Sequence, residues 1–201
     1  MTKIAIVIPA AGASRRMAGR DKLLEPVDGS PLLFGIAQRA VQVSDAVFVT
    51  LPSGPSLRRD TIADLAATPV EVPDAQSGMS ASLRRVLPYL PDELMGVMVL
   101  PADMPDIRKE HLEQMIRAFR ATEGDTILQA TSETGVPGHP VIFPAALATG
   151  FARLSGDTGA RSILKANLHR VRRVALPKDV AITDLDTPDA WAAWRAQNPD
   201  R

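Results

Sequence analysis

Four cationic side chains lie directly after the first apolar segment of the chain. Arg15, Arg16, Arg20 and Lys22 fall within eight residues and follow the small-residue stretch 9–14. A tight turn of small residues exposes backbone N–H groups, and together with fixed positive charge these groups can bind a polyphosphate. The pattern therefore predicts chemistry on a nucleotide; a solvated basic turn is the alternative.

Two acidic segments are candidates for holding a metal. Asp103 follows the apolar run 97–100, and Asp184 and Asp186 come just before the last predicted helix. Carboxylates at the carboxyl ends of strands are accessible to ligands, and Mg²⁺ prefers one or two carboxylates together with substrate phosphates. We predict Asp103 as one ligand and Asp186, or alternatively Asp184, as the second. A turn aspartate that bonds to local backbone N–H groups and a helix cap are the alternatives.

Further polar groups occur in a Gly/Ser stretch and beside a later strand. The stretch 76–83 opens a predicted helix, and its hydroxyl and N–H groups can contact a base, a ribose or a phosphate. His139 lies beside a predicted strand, and the stretch 156–161 places Arg161 in the first turn of a helix, where an anionic second substrate can bind. A helix cap and a structural histidine are the alternatives.

The composition excludes some kinds of site and argues against some kinds of partner. The chain has no cysteine, so disulfides, thiolate nucleophiles and zinc–thiolate sites are excluded. The 23 basic and 23 acidic residues argue against a nucleic acid or an anionic membrane as partner. Neither a P-loop motif nor a G-x-G-x-x-G fingerprint follows the first strand. No apolar run reaches the roughly 18 residues of a membrane span and no leader precedes the first strand, so we expect a cytoplasmic protein.

Apolar runs alternate with helix-like segments, which predicts one α/β domain over residues 1–201 with a mostly parallel sheet between layers of helices. Trp191 and Trp194 are expected in its core. A short helix is expected directly after Gly12, and Asp106 is the expected N-cap of a later helix. The predicted strands are Ile4–Ile8, Ala46–Leu51, Val70–Val72, Val97–Leu100, Thr126–Ala130, Pro140–Phe143 and Val171–Leu176. The other predicted helices are Pro31–Gln42, Ser56–Ala66, Met79–Leu87, Arg108–Ala121, Ala160–Ala166 and Pro188–Ala196.

Taken together, these segments resemble the MobA-like nucleotidyltransferase family, and within it the molybdenum cofactor cytidylyltransferases, over roughly residues 3–190. The resemblance rests on 9–22, Gly78-Met79-Ser80-Ala81-Ser82, Ala102-Asp103-Met104-Pro105, Gly138-His139-Pro140, Gly156-Asp157-Thr158-Gly159-Ala160-Arg161 and Asp184-Leu185-Asp186-Thr187-Pro188. Pro9 and Ala18 depart from the family's pattern, which has Leu and Gly there. The first loop is also similar to that of the isoprenoid-pathway cytidylyltransferases, so it leaves the second substrate open.

The resemblance implies a Rossmann-like three-layer α/β/α fold of the nucleotide-diphospho-sugar transferase type. It also implies the Mg²⁺-dependent transfer of CMP from CTP to the phosphate of molybdopterin, with release of pyrophosphate. Ala11 favours CTP, because relatives that use GTP tend to carry Gly-Gly here; GTP remains an alternative. Other acceptors remain open, namely a sugar phosphate or a methylerythritol-type phosphate. A further alternative is a non-catalytic module that delivers a nucleotide or cofactor to a molybdoenzyme or its chaperone.

On this interpretation each candidate residue receives a role. The expected catalytic residues are Lys22, Arg16 and Asp103, and the expected metal ligands are Asp103 and Asp186. The expected nucleotide-binding residues are Ala10, Ala11, Gly12, Ser14, Arg15, Arg16, Lys22, Gly78, Ser80 and Ser82. The expected acceptor-binding residues are His139, Asp157 and Arg161.

Overall fold

A computed structural model describes residues 3–201, except for the side chain of Asp157. The strands within this range are β1 (Lys3–Pro9), β2 (Pro26–Val27), β3 (Ser30–Pro31), β4 (Val47–Pro52), β5 (Thr68–Val72), β6 (Leu94–Val99), β7 (Ile127–Thr131), β8 (Pro137–Pro144) and β9 (Val171–Ala175). The α-helices are α1 (Leu32–Val41), α2 (Leu57–Thr61), α3 (Met79–Val86), α4 (Lys109–Arg120), α5 (Ala145–Ala148), α6 (Arg161–Ala166) and α7 (Pro188–Gln197).

Over these residues, seven strands form one sheet in the order β5-β4-β1-β6-β8-β7-β9. Its neighbouring strands are parallel except for β8, which runs antiparallel to both β6 and β7. The predicted mostly parallel sheet is therefore confirmed. Since β1, β4 and β6 are parallel neighbours, the loops that follow them meet at one edge of the sheet.

The sheet is covered on both faces because its central strand is apolar on both faces. In β1, Ile4, Ile6 and Ile8 pack in one buried cluster with α1, α4 and α7. The alternating residues Ala5 and Val7 pack in a second cluster with α3 and α5. This period of two is what a strand presents to two helical layers. The architecture is the expected three-layer α/β/α arrangement.

The last helix closes the first of these layers. Thr187 is the N-cap of α7 and accepts a hydrogen bond from Ala190 N–H at 3.2 Å. Trp191 and Trp194 are 1% and 5% exposed and pack edge to face with ring centroids 6.1 Å apart, as predicted for core residues. In the part of the chain that the structure describes, no helix is both long enough and apolar enough to cross a bilayer.

Two local predictions are wrong, and the helix predicted over Ser56–Ala66 is too long, because α2 ends at Thr61 and turns follow it. The segment after Gly12 forms successive turns instead of a short helix, and Ser14, Ala18 and Gly19 have positive φ angles of 47°, 51° and 85°, which a right-handed helix does not allow. The N-cap of α4 is Arg108 and not Asp106. The carboxylate of Asp106 instead accepts hydrogen bonds from distant parts of the chain.

Candidate active site

A cleft of about 600 Å³ opens beyond the carboxyl ends of β1 and β6. Its lining comes from the loop that follows β1, the segment 75–82, the turn 101–103 and Asp186. Ligands of mostly parallel sheets bind at this edge, where the loops of neighbouring strands converge. The segments that carry the predicted site residues therefore meet around one cavity.

Four charged side chains form a cluster at this cleft, which we call the charge cluster: Arg16, Lys22, Asp103 and Asp186. Nζ of Lys22 lies 2.5 Å from Oδ2 of Asp103 and 2.5 Å from Oδ1 of Asp186. Nη2 of Arg16 lies 2.5 Å from the other oxygen of Asp186. The two acids thus converge on one ammonium nitrogen although they lie far apart in the sequence.

The charge cluster shifts the pKa values of its members. Burial alone would lower the pKa of Lys22, but the charges and hydrogen bonds of Asp103 and Asp186 raise it above its usual value. Burial would likewise raise the pKa of Asp186, but Lys22 and then Arg16 lower it. Both groups therefore remain charged near neutral pH. The pKa of Asp184 is raised by partial desolvation and then by the charges of Asp103 and Asp186, even though part of this side chain faces solvent.

Main-chain hydrogen bonds hold the acidic segments in place. Leu185 N–H donates to the carbonyl of Asp103 at 3.0 Å, and His139 N–H donates to the carbonyl of Ala181 at 2.8 Å. The segment 181–186 therefore lies between the turn after β6 and the start of β8. A Cβ at Gly138 would collide with the Ala181 carbonyl, so the close approach of these segments requires glycine there.

The donor set suits a hard divalent cation. Asp103 and Asp186 each present one carboxylate oxygen to the same nitrogen, so both can reach one cation. Within residues 3–201, no group of three acidic, His or Cys side chains is arranged to hold a metal by itself. Two carboxylates leave most of an octahedral Mg²⁺ shell for water or substrate phosphates, as is usual for this ion.

Most of the predicted nucleotide-binding residues line the cleft. They are Ala10, Ala11, Gly12, Ser14, Arg15, Arg16, Lys22, Gly78 and Ser82. Ser80 lies outside the lining: it is fully buried, and its hydroxyl finds no hydrogen-bond partner among the described residues. Gly78 precedes α3 with φ 84°, a conformation that favours glycine, and directs the chain into the helix.

A second cavity of about 200 Å³ brings together two of the predicted acceptor-binding residues, His139 and Arg161. Burial, opposed by the charge of Asp103 and assisted by that of Arg161, lowers the pKa of His139, so the imidazole is neutral at pH 7. The side chain of Asp157 lies outside the described residues. Met79 lines both this cavity and the main cleft, so the two are adjacent.

The sequence interpretation missed Arg58 and Met79. Arg58 belongs to the short helix α2, and its guanidinium makes hydrogen bonds to the loop after β1. No local pattern distinguishes it from Arg59, because its partners lie far away in the sequence. Met79 belongs to the motif 78–82, but its position between the two cavities depends on where α3 begins.

Comparison with solved structures finds similar proteins that match this chain over nearly its whole length. The crystal structure of Rv0371c from Mycobacterium tuberculosis H37Rv is 28% identical, with a TM-score of 0.82 over 96% of this chain and 97% of that one. A crystal structure of Rv0371c in complex with manganese gives 27% identity and a TM-score of 0.78 over 96% and 97% of the two chains. A CMP:2-keto-3-deoxy-manno-octonic acid synthetase complexed with CTP is 16% identical, with a TM-score of 0.74 and 98% coverage of both chains, and this likeness concerns the fold alone.

Among curated proteins, the bifunctional protein GlmU of Legionella pneumophila (strain Lens) is 28% identical over 176 residues, which are 87% of this chain and 34% of that protein. The chain therefore spans about a third of the length of this relative. The family model described as the MobA-like NTP transferase domain matches residues 6–172, which contain the loop after β1, Asp103, His139 and Arg161. A match over this much of the sheet, its flanking helices and the cleft establishes that the chain belongs to the MobA-like NTP transferase family.

Proposed function

We propose that this protein transfers a nucleotidyl group from a nucleoside triphosphate to an acceptor phosphate, with a divalent metal and with release of pyrophosphate. The observation that carries the proposal is the charge cluster. It joins two carboxylates, one lysine and one arginine at a cleft whose wall is a small-residue loop. Membership in the MobA-like family supports the same reaction.

In this reaction an oxygen of the acceptor phosphate attacks the α-phosphorus of the nucleotide. A new P–O bond forms, the bond from the α-phosphorus to the β-phosphate bridging oxygen breaks, and that oxygen leaves with the pyrophosphate. The acceptor oxygen is already anionic, so the protein needs no covalent nucleophile. Its contribution is positioning and the neutralisation of charge on the phosphates.

We assign the metal to Asp103 and Asp186, and Mg²⁺ is the ion that we propose. When bound there with the substrate phosphates, it would neutralise charge on the oxygens of the α-phosphate. The manganese complex of Rv0371c supports a divalent ion in this fold. Asp184 is exposed, and the ammonium of Lys22 contacts Asp103 and Asp186 and not Asp184, so we place Asp184 beside the metal site and not as a ligand.

Lys22 and Arg16 supply the positive charge for the triphosphate. The side chain of Lys22 is 17% exposed and stays protonated. It belongs to the loop after β1 and lines the cleft together with that loop. Arg16 is 68% exposed at the rim, where it can turn from Asp186 toward the departing pyrophosphate. The loop 10–14 and residues Gly78 and Ser82 contact the base, the ribose and the phosphates.

CTP is the nucleotide that we propose, and the phosphate of a molybdopterin-type compound is the proposed acceptor. The acceptor lies in the second cavity, between the guanidinium of Arg161 and the neutral imidazole of His139. Apolar side chains of that cavity, among them Val141 and Phe143, suit a flat ring system. A molybdoenzyme or its chaperone is the proposed recipient of the product.

The test is a panel of nucleoside triphosphates with Mg²⁺ and purified acceptor, monitored by pyrophosphate release. We expect release only with both substrates present, and fastest with CTP plus the molybdopterin acceptor. Release with GTP, with a sugar phosphate or with a methylerythritol-type phosphate would assign another member of the same reaction class. Nucleotide binding without any release of pyrophosphate would instead identify a non-catalytic delivery module.

A further inference from the structure

A buried arginine lies beneath the loop that lines the main cleft, which we call the nucleotide loop (residues 10–22). The side chain of Arg58 is 6% exposed, and the residue does not line the cleft. Its Nη1 donates to the carbonyl of Ala10 and, at 2.7 Å, to the carbonyl of Gly12. The guanidinium therefore contacts the start of the nucleotide loop from outside the cleft lining.

The same guanidinium also contacts the end of the nucleotide loop. Nε and Nη2 donate to the two oxygens of Asp21 at 2.6 and 2.7 Å, which is a bidentate pair. Nη2 also donates to the hydroxyl of Ser14 at 3.1 Å. One side chain thus connects both ends of a loop whose intervening residues form turns with positive φ angles.

These contacts have a consequence for the cleft. The carbonyl oxygens of Ala10 and Gly12 accept hydrogen bonds from a residue outside the cleft lining. In the proposed complex, these negative dipole ends would therefore not face the triphosphate. Asp21 precedes Lys22, and it also accepts the N–H of Leu23 at 3.0 Å. The guanidinium of Arg58 therefore fixes the position of Asp21. Through Asp21 it also fixes the backbone of the next residue, Lys22.

We propose that Arg58 is a positioning residue, which holds the nucleotide loop in the conformation that binds the triphosphate. This rests on the proposed function for its effect on nucleotide affinity, but its effect on the order of the loop is independent of any substrate. A lysine cannot replace the arginine, because a single ammonium lacks the planar fork that reaches two carbonyls, a hydroxyl and both carboxylate oxygens.

The test compares Arg58→Lys and Arg58→Gln with the wild type and with Arg59→Gln. Arg59 is the matched control, because it is the next residue of α2 and pairs at the surface with Glu71. Amide hydrogen exchange is measured without substrate, and nucleotide affinity is measured by calorimetry. We expect the amides of residues 10–22 to exchange about tenfold faster in both Arg58 variants, with those of β1 unchanged. The nucleotide Kd and the KM for nucleotide should rise at least about tenfold, which corresponds to about 1.4 kcal/mol, while the KM for the acceptor stays constant.

Exchange and affinity that both equal the wild type in Arg58→Lys would overturn the proposal. Faster exchange with unchanged affinity would also overturn it, because the order of the loop would then not matter for binding. If Arg58→Gln unfolds, Asp21→Asn is measured instead, because it keeps the guanidinium and its contacts with the carbonyls. We expect smaller increases in the exchange of residues 10–22 and in the nucleotide Kd. Exchange and affinity equal to the wild type in Asp21→Asn would count against the positioning role of Arg58. If the wild type binds no nucleotide, the proposed function fails, whereas faster exchange confined to residues 10–22 would still support the positioning of the loop by Arg58.

Discussion

The ammonium nitrogen of Lys22 lies 2.5 Å from Oδ2 of Asp103 and equally close to Oδ1 of Asp186. Lys22 therefore serves as the counter-ion of the two acids in the protein without ligands. A divalent cation that is bound by the same two carboxylates has to compete with it. Nucleotide phosphates can draw the ammonium away, so metal and nucleotide should bind more tightly together than either does alone.

The first prediction concerns Lys22→Met. This change removes the ammonium that the two carboxylates share and leaves Arg16 as the partner of Asp186 alone. We therefore expect the nucleotide-free protein to bind Mn²⁺ more tightly, by about tenfold, while turnover is lost. Manganese binding is measured by electron paramagnetic resonance and turnover by pyrophosphate release. Lys109→Met is the matched control, because Lys109 pairs with Glu113 on the surface of α4. Unchanged manganese affinity would show that Lys22 and the metal do not compete.

The second prediction concerns Asp103→Asn. We expect it to abolish metal-dependent pyrophosphate release, because an amide oxygen is a weaker ligand and carries no charge. The fold should persist, since the contact between this turn and the acidic segment is made by the backbone carbonyl of residue 103. Thermal unfolding and pyrophosphate release are measured beside Asp189→Asn, which changes an exposed acid in the first turn of α7. Near-normal turnover of Asp103→Asn would remove this residue from the metal site.

The third prediction concerns nucleotide choice. Ala11 is 6% exposed, and its methyl group packs with Val72 and Ala81 at the wall of the cleft. We expect Ala11→Gly to lower the ratio of kcat/KM for CTP to that for GTP, because it enlarges the space beside the base. One methyl group in a pocket contributes about 1–3 kcal/mol at most, so the ratio should fall by no more than about 150-fold. A ratio that stays constant, or that rises, would show that residue 11 does not select the base.

The fourth prediction concerns stability and pH. Arg201 donates to Asp28 at 2.9 Å, to Asp106 at 2.6 Å and to the carbonyl of Pro105 in the turn after Asp103. Hydrogen bonds from Arg201, opposed by burial and aided by the charges of Arg201 and Arg108, lower the pKa of Asp28. An acid whose pKa is lowered by folding stabilises the fold above its ordinary pKa of about 3.9, and this stabilisation is lost as the pH falls through the lowered value.

We therefore expect Arg201→Gln to lower the free energy of unfolding by about 1–2 kcal/mol at pH 7, and by less near pH 3. The loss should not vanish there, since the contact with the Pro105 carbonyl does not titrate. Urea unfolding at the two pH values measures both differences, and Arg117→Gln, an exposed change on α4, is the control. An equal loss at both pH values would mean that the carboxylates contribute nothing to the effect.

The meeting of Asp103 and Asp186 is predictable from the sequence, because each lies in a short motif placed next to a recognisable strand or helix. The directions in which the side chains of Ser80 and Ser82 point are harder to predict. Residues two apart in a helix point about 200° from each other, so one of the pair faces the cleft and the other the core. Which one does so depends on the packing of α3, and the sequence interpretation assigned both to the nucleotide.

Long-range polar contacts outside the predicted motifs could not be predicted. Asp106 stands at a typical N-cap position, but Trp194 Nε1 donates to its carboxylate at 3.1 Å and Arg201 donates to it as well. The backbone N–H at the start of α4, that of Arg108, donates instead to Nδ1 of His111 at 3.1 Å. Arg58 is a similar case, since its role becomes visible only when α2 is placed beneath the nucleotide loop.

The hydrogen bond from Leu185 N–H to the carbonyl of Asp103 has an evolutionary consequence. The distance between the turn that carries Asp103 and the segment that carries Asp186 is therefore held by main-chain atoms, which every residue type possesses. Substitutions in the walls of the second cavity can leave the anionic pair in place, except at Gly138, which has to stay close to the Ala181 carbonyl. Under the proposed function, a change of acceptor would then leave the reaction at phosphorus unaltered.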